Sequence, residues 1–345
     1  MSKFLLFFRP IVISVTVWLG LGLLVSHANA SAADMRKTLH VAWRAAETGF
    51  DPAQVSDVFS NDIIRGILDP LLTYDYLARP AKLVPNVITE MPSVSENATH
   101  FVFKIKPGIY FAEDVAFAGK RRELVAADFV FSLKRIIDPA VRSPNLYMFD
   151  GKFLGAEEVL AKTKQSGTFD YDMPMAGLQA LDKYTLSIRL TKPDHKFLYF
   201  LASVNTGAVA REVVEKYSLQ DLMAHPVGTG PYVLKTWIRG SKMVLQANPG
   251  YRQEIFQAEA GNNPQDQAVM RAMRGKQLPQ IGRIEVSVMD EAQPRWLAFL
   301  GNDLDYIVVP PDFIPRAIPG GKLPPEVLLR GSLQQSEVAA VACCC

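Results

Sequence analysis

Polar and apolar residues alternate along much of the chain, with the two-residue period of a half-buried strand. Leu39, Val41 and Trp43 alternate with polar neighbours over residues 38–44. Phe101, Phe103 and Ile105 repeat the pattern between the polar turn Glu96-Asn97 and the stop Pro107-Gly108, and Tyr184, Leu186, Ile188 and Leu190 repeat it again. Residues 231–237 and 242–246 flank Arg239-Gly240 and predict two paired strands, and 283–289 predicts a further one. Helical spacing appears over residues 57–68, where Phe59, Ile63, Ile64 and Ile67 form one stripe, and over 127–137, where Phe129, Val130, Leu133 and Ile137 do so before Asp138-Pro139. A short helix is expected over 194–202, another around Arg295, Trp296, Leu297 and Leu300, and a short buried strand over 306–309 before Pro310-Pro311. Residues 257–278 are polar and read as a surface insertion or linker. The pattern is mixed α/β, without an internal repeat.

The first 30 residues differ from the rest. Lys3 and Arg9 are their only charges, and an uncharged, largely apolar run over residues 11–25 leads to His27-Ala28-Asn29-Ala30. A basic start, a short apolar stretch and an Ala-x-Ala site are what a signal peptidase reads. The run falls short of the roughly 20 residues of a membrane-spanning helix. With no cysteine near the cleavage site, export as a protein without a lipid anchor is expected. Lys3 and Arg9 account for the whole excess of 37 basic over 35 acidic residues, so residues 31–345 are neutral. Neutrality argues against a nucleic-acid partner, which needs a basic face. The three cysteines are the last three residues, Cys343, Cys344 and Cys345, which leaves no internal disulfide framework and lacks the spacing of a metal site.

Catalytic constellations are not found. The sequence has no Gly-x-Ser-x-Gly elbow, no His-Glu-x-x-His helix and no phosphate loop of the Walker type. His40, His100, His195 and His225 stand singly and read as structural residues, and no catalytic residue, metal or cofactor is expected. The acidic pairs Glu157-Glu158 and Glu123 near Asp128 read as solvated faces. Gly228-Thr229-Gly230 precedes a strand rather than a helix, so it lacks the dipole that attracts a phosphate. Its reading is a close approach of backbone at a strand's start.

Several runs, in order over about residues 38–310, carry a resemblance. They are Phe50-Asp51-Pro52; Leu71-Leu72-Thr73-Tyr74-Asp75; Val84-Pro85-Asn86; Phe103-x-Ile105-x-Pro107-Gly108-x-x-Phe111; and Ala127-Asp128-Phe129-Val130-x-Ser132-Leu133-Lys134-Arg135. The most distinctive is Gly228-Thr229-Gly230-Pro231-Tyr232 with Leu234-Lys235, Trp237, Gly240 and Asn248-Pro249-x-Tyr251. The chain resembles the extracellular solute-binding proteins of family 5, the oligopeptide- and dipeptide-binding subunits of ABC importers. It departs at Val125, where the family has a hydroxyl residue able to cap the following helix. It is also shorter than the family's members, and the likeness fades after about residue 331.

The resemblance implies the two-lobed periplasmic binding protein type II fold, an α/β fold with a hinged cleft that closes over its solute. Lobe I would span residues 31–280, with an inserted subdomain at about 77–184; lobe II would begin at 281 and be incomplete, and 332–345 would form an atypical tail. The implied function is capture of a peptide, or another small solute, and its delivery to the ABC permease membrane subunits by a periplasmic monomer that is not an enzyme. Glu47, Thr48, Gly49, Tyr147 and Thr229 would touch the solute. The same fold could carry a nickel complex, a haem-like ligand or an oligosaccharide. An exported hydrolase and a non-functional truncated product are the readings from other classes.

Overall fold

A computed structural model describes residues 33–95 and 97–321. The expected signal segment and the cysteine-bearing tail lie outside the described residues. The strands are β1 (Asp34–Trp43), β2 (Leu72–Tyr74), β3 (Leu83–Pro85), β4 (Ser93–Val94), β5 (His100–Lys104), β6 (Leu178–Ala180), β7 (Thr185–Arg189), β8 (Tyr232–Ile238), β9 (Lys242–Ala247), β10 (Glu254–Ile255), β11 (Gln277–Leu278) and β12 (Ile281–Val288). The helices are α1 (Val58–Arg65), α2 (Ala126–Ile137), α3 (Ala156–Ser166), α4 (Phe197–Phe200), α5 (Arg211–Lys216), α6 (Leu219–Leu222), α7 (Pro264–Met273), α8 (Ala292–Leu300) and α9 (Ile314–Ala317).

Two four-stranded sheets organise these elements. One runs β1-β12-β9-β8, with β1 and β12 parallel and the other pairs antiparallel; the other runs β4-β5-β7-β6, antiparallel throughout. The apolar residues that announced the strands fill the cores. Phe101, Phe103, Leu186 and Ile188 pack with Phe129 and Leu133 of α2, whereas Ile63, Ile64 and Ile67 pack with Met243, Leu245 and Val286 of the first sheet. A smaller cluster of Trp296, Phe299, Leu304, Ile307 and Ala317 forms around α8 and α9.

Several expectations are redrawn. β12, expected to open a second lobe, is an inner strand between β1 and β9. β7, expected to lie past the inserted subdomain, pairs with β5 and β6 inside that subdomain's sheet. Alternation marks a strand but does not say which sheet it joins. Residues 306–309 are no buried strand: only Tyr306 bridges to Val41, and Tyr306 and Val308 are each 51% exposed. The polar stretch 257–278 contains α7, which has no buried residue and sits between the paired β10 and β11. The polar residues that dominate the stretch concealed the short apolar run Ala268-Val269-Met270 within it. Asp128 is not on a solvated face but 2% exposed, bonded to Arg122 Nη2 at 2.6 Å.

Val125 cannot cap α2 with its side chain, and the chain compensates. Ala126 N donates to Lys183 O at 2.9 Å, and Asp128 Oδ2 accepts from Val125 N at 2.8 Å. These bonds satisfy two amides at the helix entry, a place where four start without an intrahelical partner.

Candidate functional site

The loop after β1 is held by the β8–β9 hairpin and by the start of α1. Glu47 is buried, and its Oε1 accepts hydrogen bonds from the Trp237 indole and from Gly240 N at 3.1 Å. The β8–β9 hairpin therefore fixes the loop through a carboxylate. Arg239, in the same hairpin turn, lies 5.2 Å from the Trp237 ring and donates to Thr48 O at 3.0 Å. From α1, Ser60 Oγ accepts from Thr48 N at 3.0 Å and from Gly49 N at 3.4 Å. Thr48 Oγ1 donates to Asp57 Oδ2 at 2.6 Å.

Asp57 also caps α1, accepting from Ser60 N at 2.8 Å. An aspartate there satisfies one of the helix's unpaired amides. Burial pushes its carboxyl up, but the Ser60 and Thr48 donors outweigh this and hold it below its ordinary value. The outcome is a loop with Glu47 and Gly49 buried and Thr48 exposed. Glu47 Oε2 is buried without a hydrogen-bond partner among the described residues.

The chain then turns at residues 51–55, and this turn is unusually well anchored. Arg135 of α2 forks onto Asp51 with bonds of 2.8 and 2.7 Å, and both side chains are 2% exposed. Burial pushes the Asp51 carboxyl up, but Arg135 outweighs it and holds the group below its ordinary value. Asn145 and Asn205 each donate to Pro52 O at 3.2 Å and to Val55 O at 2.8 Å. Asn145 directly precedes the 3₁₀ turn Leu146–Met148, whose central Tyr147 is 72% exposed. Tyr147 is thus tied, through Asn145, to the chain that leaves residues 47–49.

Thr229 lies in a different, buried network. It is 1% exposed, and its hydroxyl donates to Asp69 Oδ2 at 2.8 Å. Asp69 also takes Arg252 Nη1 at 2.6 Å and Asn86 Nδ2 at 3.2 Å. Burial raises the Asp69 carboxyl, while Arg252, Thr229 and Asn86 lower it, and lowering prevails. The flanking glycines have the role expected of them: a Cβ on Gly228 would sit 2.0 Å from Ile67 O, and one on Gly230 would sit 2.7 Å from it. Gly230 N donates to that same Ile67 oxygen at 2.8 Å. A side chain at either position would force this backbone contact apart.

Four of the five expected site residues therefore lie on, or tied to, one stretch of chain, and Thr229 does not. Sequence reasoning missed Asp51, Arg135, Asn145 and Asn205 as the residues that hold that stretch. A charge inside the apolar run of α2, at Arg135, was the available signal. Three of the four described histidines are hydrogen-bonded within the protein, His40 to Asp305, His100 to Ser187 and His225 to Asp114. Among the described residues no group of three His, Cys, Asp or Glu side chains could hold a metal ion, and no helix is long and apolar enough to cross a membrane.

Residues 82–329 match the bacterial extracellular solute-binding proteins, family 5 middle region. The glutathione-binding protein GsiB of Shigella dysenteriae serotype 1 is 28% identical over 232 residues, 67% of this chain and 38% of that protein. The periplasmic oligopeptide-binding protein OppA of Escherichia coli K12 is 26% identical over 203 residues, 58% of this chain and 34% of that protein. The chain thus spans little more than a third of the curated relatives it matches. Among solved structures, the murein tripeptide binding protein MppA of Escherichia coli superposes with a TM-score of 0.62 at 20% identity, over 83% of this chain and 49% of that one. OppA of Listeria monocytogenes, bound to peptide, gives 0.59 at 18% identity, over 78% and 46%. These likenesses show the two-lobed periplasmic binding protein fold, and coverage of under half of each solved chain leaves the second lobe incomplete here.

Proposed function

The chain belongs to the bacterial extracellular solute-binding proteins of family 5, and from that premise we propose that it captures short peptides in a cleft and presents them to an ABC permease. The observation that carries this reading is the anchoring of residues 47–49 and of the Tyr147 turn to one stretch of chain, which leaves Thr48 and Tyr147 exposed while Ser60 behind the one and Asn145 behind the other are buried. Exposed contact groups on a rigid buried frame are what non-covalent capture requires. Two relatives named for peptide binding, and one named for glutathione, itself a tripeptide, favour a peptide over a metal complex or a sugar.

In this reading, the exposed Thr48 side chain contacts an extended peptide and the Tyr147 ring covers part of it. Glu47 and Thr229, both buried, position rather than touch: Glu47 through Trp237 and Thr229 through Asp69. Lobe closure then removes the peptide from water, which strengthens those polar contacts. The carrier is exported to the periplasm, acts as a monomer and does not transform its cargo. On this reading the first lobe extends through β12, and the second begins at about residue 289. Isothermal titration with a panel of di- to pentapeptides and glutathione tests it: at least one should bind, and Tyr147→Ala should weaken binding while leaving the melting temperature unchanged. Binding of none by a chain that melts cooperatively would overturn the peptide assignment.

A further inference from the structure

A hollow of about 270 Å³ opens away from the residues just described, where three segments meet. They are residues 110–122 of the subdomain, residues 224–227 before the glycine turn, and the start of β8 with the turn at 248–250. The first two are joined through Ala112 N, which donates to Gly228 O at 2.8 Å. Phe111, Phe117, Val227 and Leu234 supply an apolar floor.

The rim is basic. Lys120, Arg121, Arg122 and Lys235 line the hollow against two acids, Glu113 and Asp114. Asp114 is committed to His225 at 2.6 Å, and Arg122 is spent on Asp128 and Glu212. Lys120, Arg121 and Lys235 have no ion-pair partner among the described residues, and Arg121 is set in place by stacking 3.8 Å from the Tyr110 ring centroid. Glu113 alone opposes three free cations.

Lys235 reaches this rim for a specific reason. In β8, Leu234 faces Leu245 and Thr236 faces Val244 on the adjacent positions of β9, so Lys235 is the extra residue of a bulge. A regular strand sends successive side chains to opposite faces, and a bulge re-aims one of them. Here Val233, Leu234 and Lys235, three consecutive residues, all line one hollow. The bulge delivers a cation to a concavity that already holds two.

The geometry points to a second binding site, for a small oxyanion whose acid group meets Lys120, Arg121 and Lys235 above the floor of Phe111 and Leu234. Unpaired cations around a concave, partly apolar surface concentrate anions. The site is independent of the peptide reading, since none of residues 47–49, Tyr147 or Thr229 lines it. The oxyanion could belong to an organic acid or to inorganic phosphate, and the two are separated by titrating with each.

The test is isothermal titration of the full chain with citrate and, separately, with inorganic phosphate, at low and constant ionic strength. Arg121→Gln/Lys235→Gln removes two exposed charges, and Lys216→Gln on α5 removes one elsewhere. The site predicts that at least one anion binds, at least tenfold more weakly in the double variant and unchanged in Lys216→Gln, with near-identical circular dichroism in all three proteins. Which anion binds names the source of the oxyanion. No binding of either, an unchanged affinity in the double variant, or an equal loss in Lys216→Gln would each overturn the proposal.

Discussion

Replacing Arg135 by methionine should be the most damaging single change near the candidate site. The guanidinium makes two bonds to Asp51, at 2.8 and 2.7 Å, in surroundings where both side chains are 2% exposed. Methionine fills similar space but leaves the carboxylate with only Gln54 Nε2 at 2.6 Å and Ala53 N at 3.2 Å. Removing one partner of a buried pair typically costs about 3–5 kcal/mol. Domains of this kind have about 5–15 kcal/mol to lose. Arg135→Met should therefore remove a large share of the stability, read as the midpoint of urea unfolding followed by tryptophan fluorescence. Asp51→Leu should cost a comparable amount. The double variant should cost less than the sum of the two by at least about 1.5 kcal/mol, because it leaves no uncompensated charge. If the double variant costs the full sum, the two groups are not coupled and the argument fails.

The same pair carries a pH signature of definite sign. In the wild type the Asp51 carboxyl is held below its ordinary value of 3.8. Its contribution to stability is complete above that value and is lost as the pH falls towards the folded-state value. Without Arg135, burial is opposed only by the Gln54 and Ala53 donors, and the carboxyl rises. The variant's contribution is then present below the ordinary value and lost as the pH rises through the elevated one. The stability gap between wild type and Arg135→Met should accordingly widen from pH about 4 to pH about 6. A gap constant over that interval would mean that Asp51 titrates alike in both proteins.

Three further outcomes are expected. Gly228→Ala should lower the melting temperature, with a cost of about 1–3 kcal/mol for overpacking against the Ile67 carbonyl; an unchanged melting curve would show that this contact can yield. Val125→Ser should stabilise by about 0.5–1 kcal/mol by adding a side-chain acceptor at the entry to α2, measured by chemical denaturation; an unchanged midpoint would show that the Lys183 and Asp128 bonds already satisfy the helix entry. Tyr147→Ala should change stability by less than about 0.5 kcal/mol, as for an exposed residue outside any network; a larger drop would place Tyr147 in the framework rather than at the ligand.

Much of the framework was legible from the chain alone. The alternating runs became β1, β5, β7, β8, β9 and β12, and the stripe of Ile63, Ile64 and Ile67 became the buried face of α1 and the turn beyond it. The glycines at 228 and 230 were readable as a close backbone approach, because only a residue without a Cβ tolerates one. The candidate site was less legible. Tyr147 and Thr229 belong to equally suggestive motifs, yet one side chain is exposed and the other is sealed against Asp69. Short polar motifs do not encode the direction in which a side chain points. α7 was hidden because its few apolar residues, Val269, Met270 and Met273, sit in a polar stretch and none of them is buried.

The order of apolar and polar residues by itself determined β1, β5, β7, β8, β9 and β12 as strands and α1 and α2 as helices, since each of these presents an apolar face of its own period to a core. It could not determine partnership. That β12 inserts between β1 and β9, that β7 joins the sheet of β5, and that Arg135 meets Asp51 from 84 residues away are decided only when the chain is packed. Backbone ladders accept any strand with the right spacing, and a buried charge is satisfied by whichever opposite charge the packing brings to it. Those choices depend on three-dimensional neighbours that no local pattern contains.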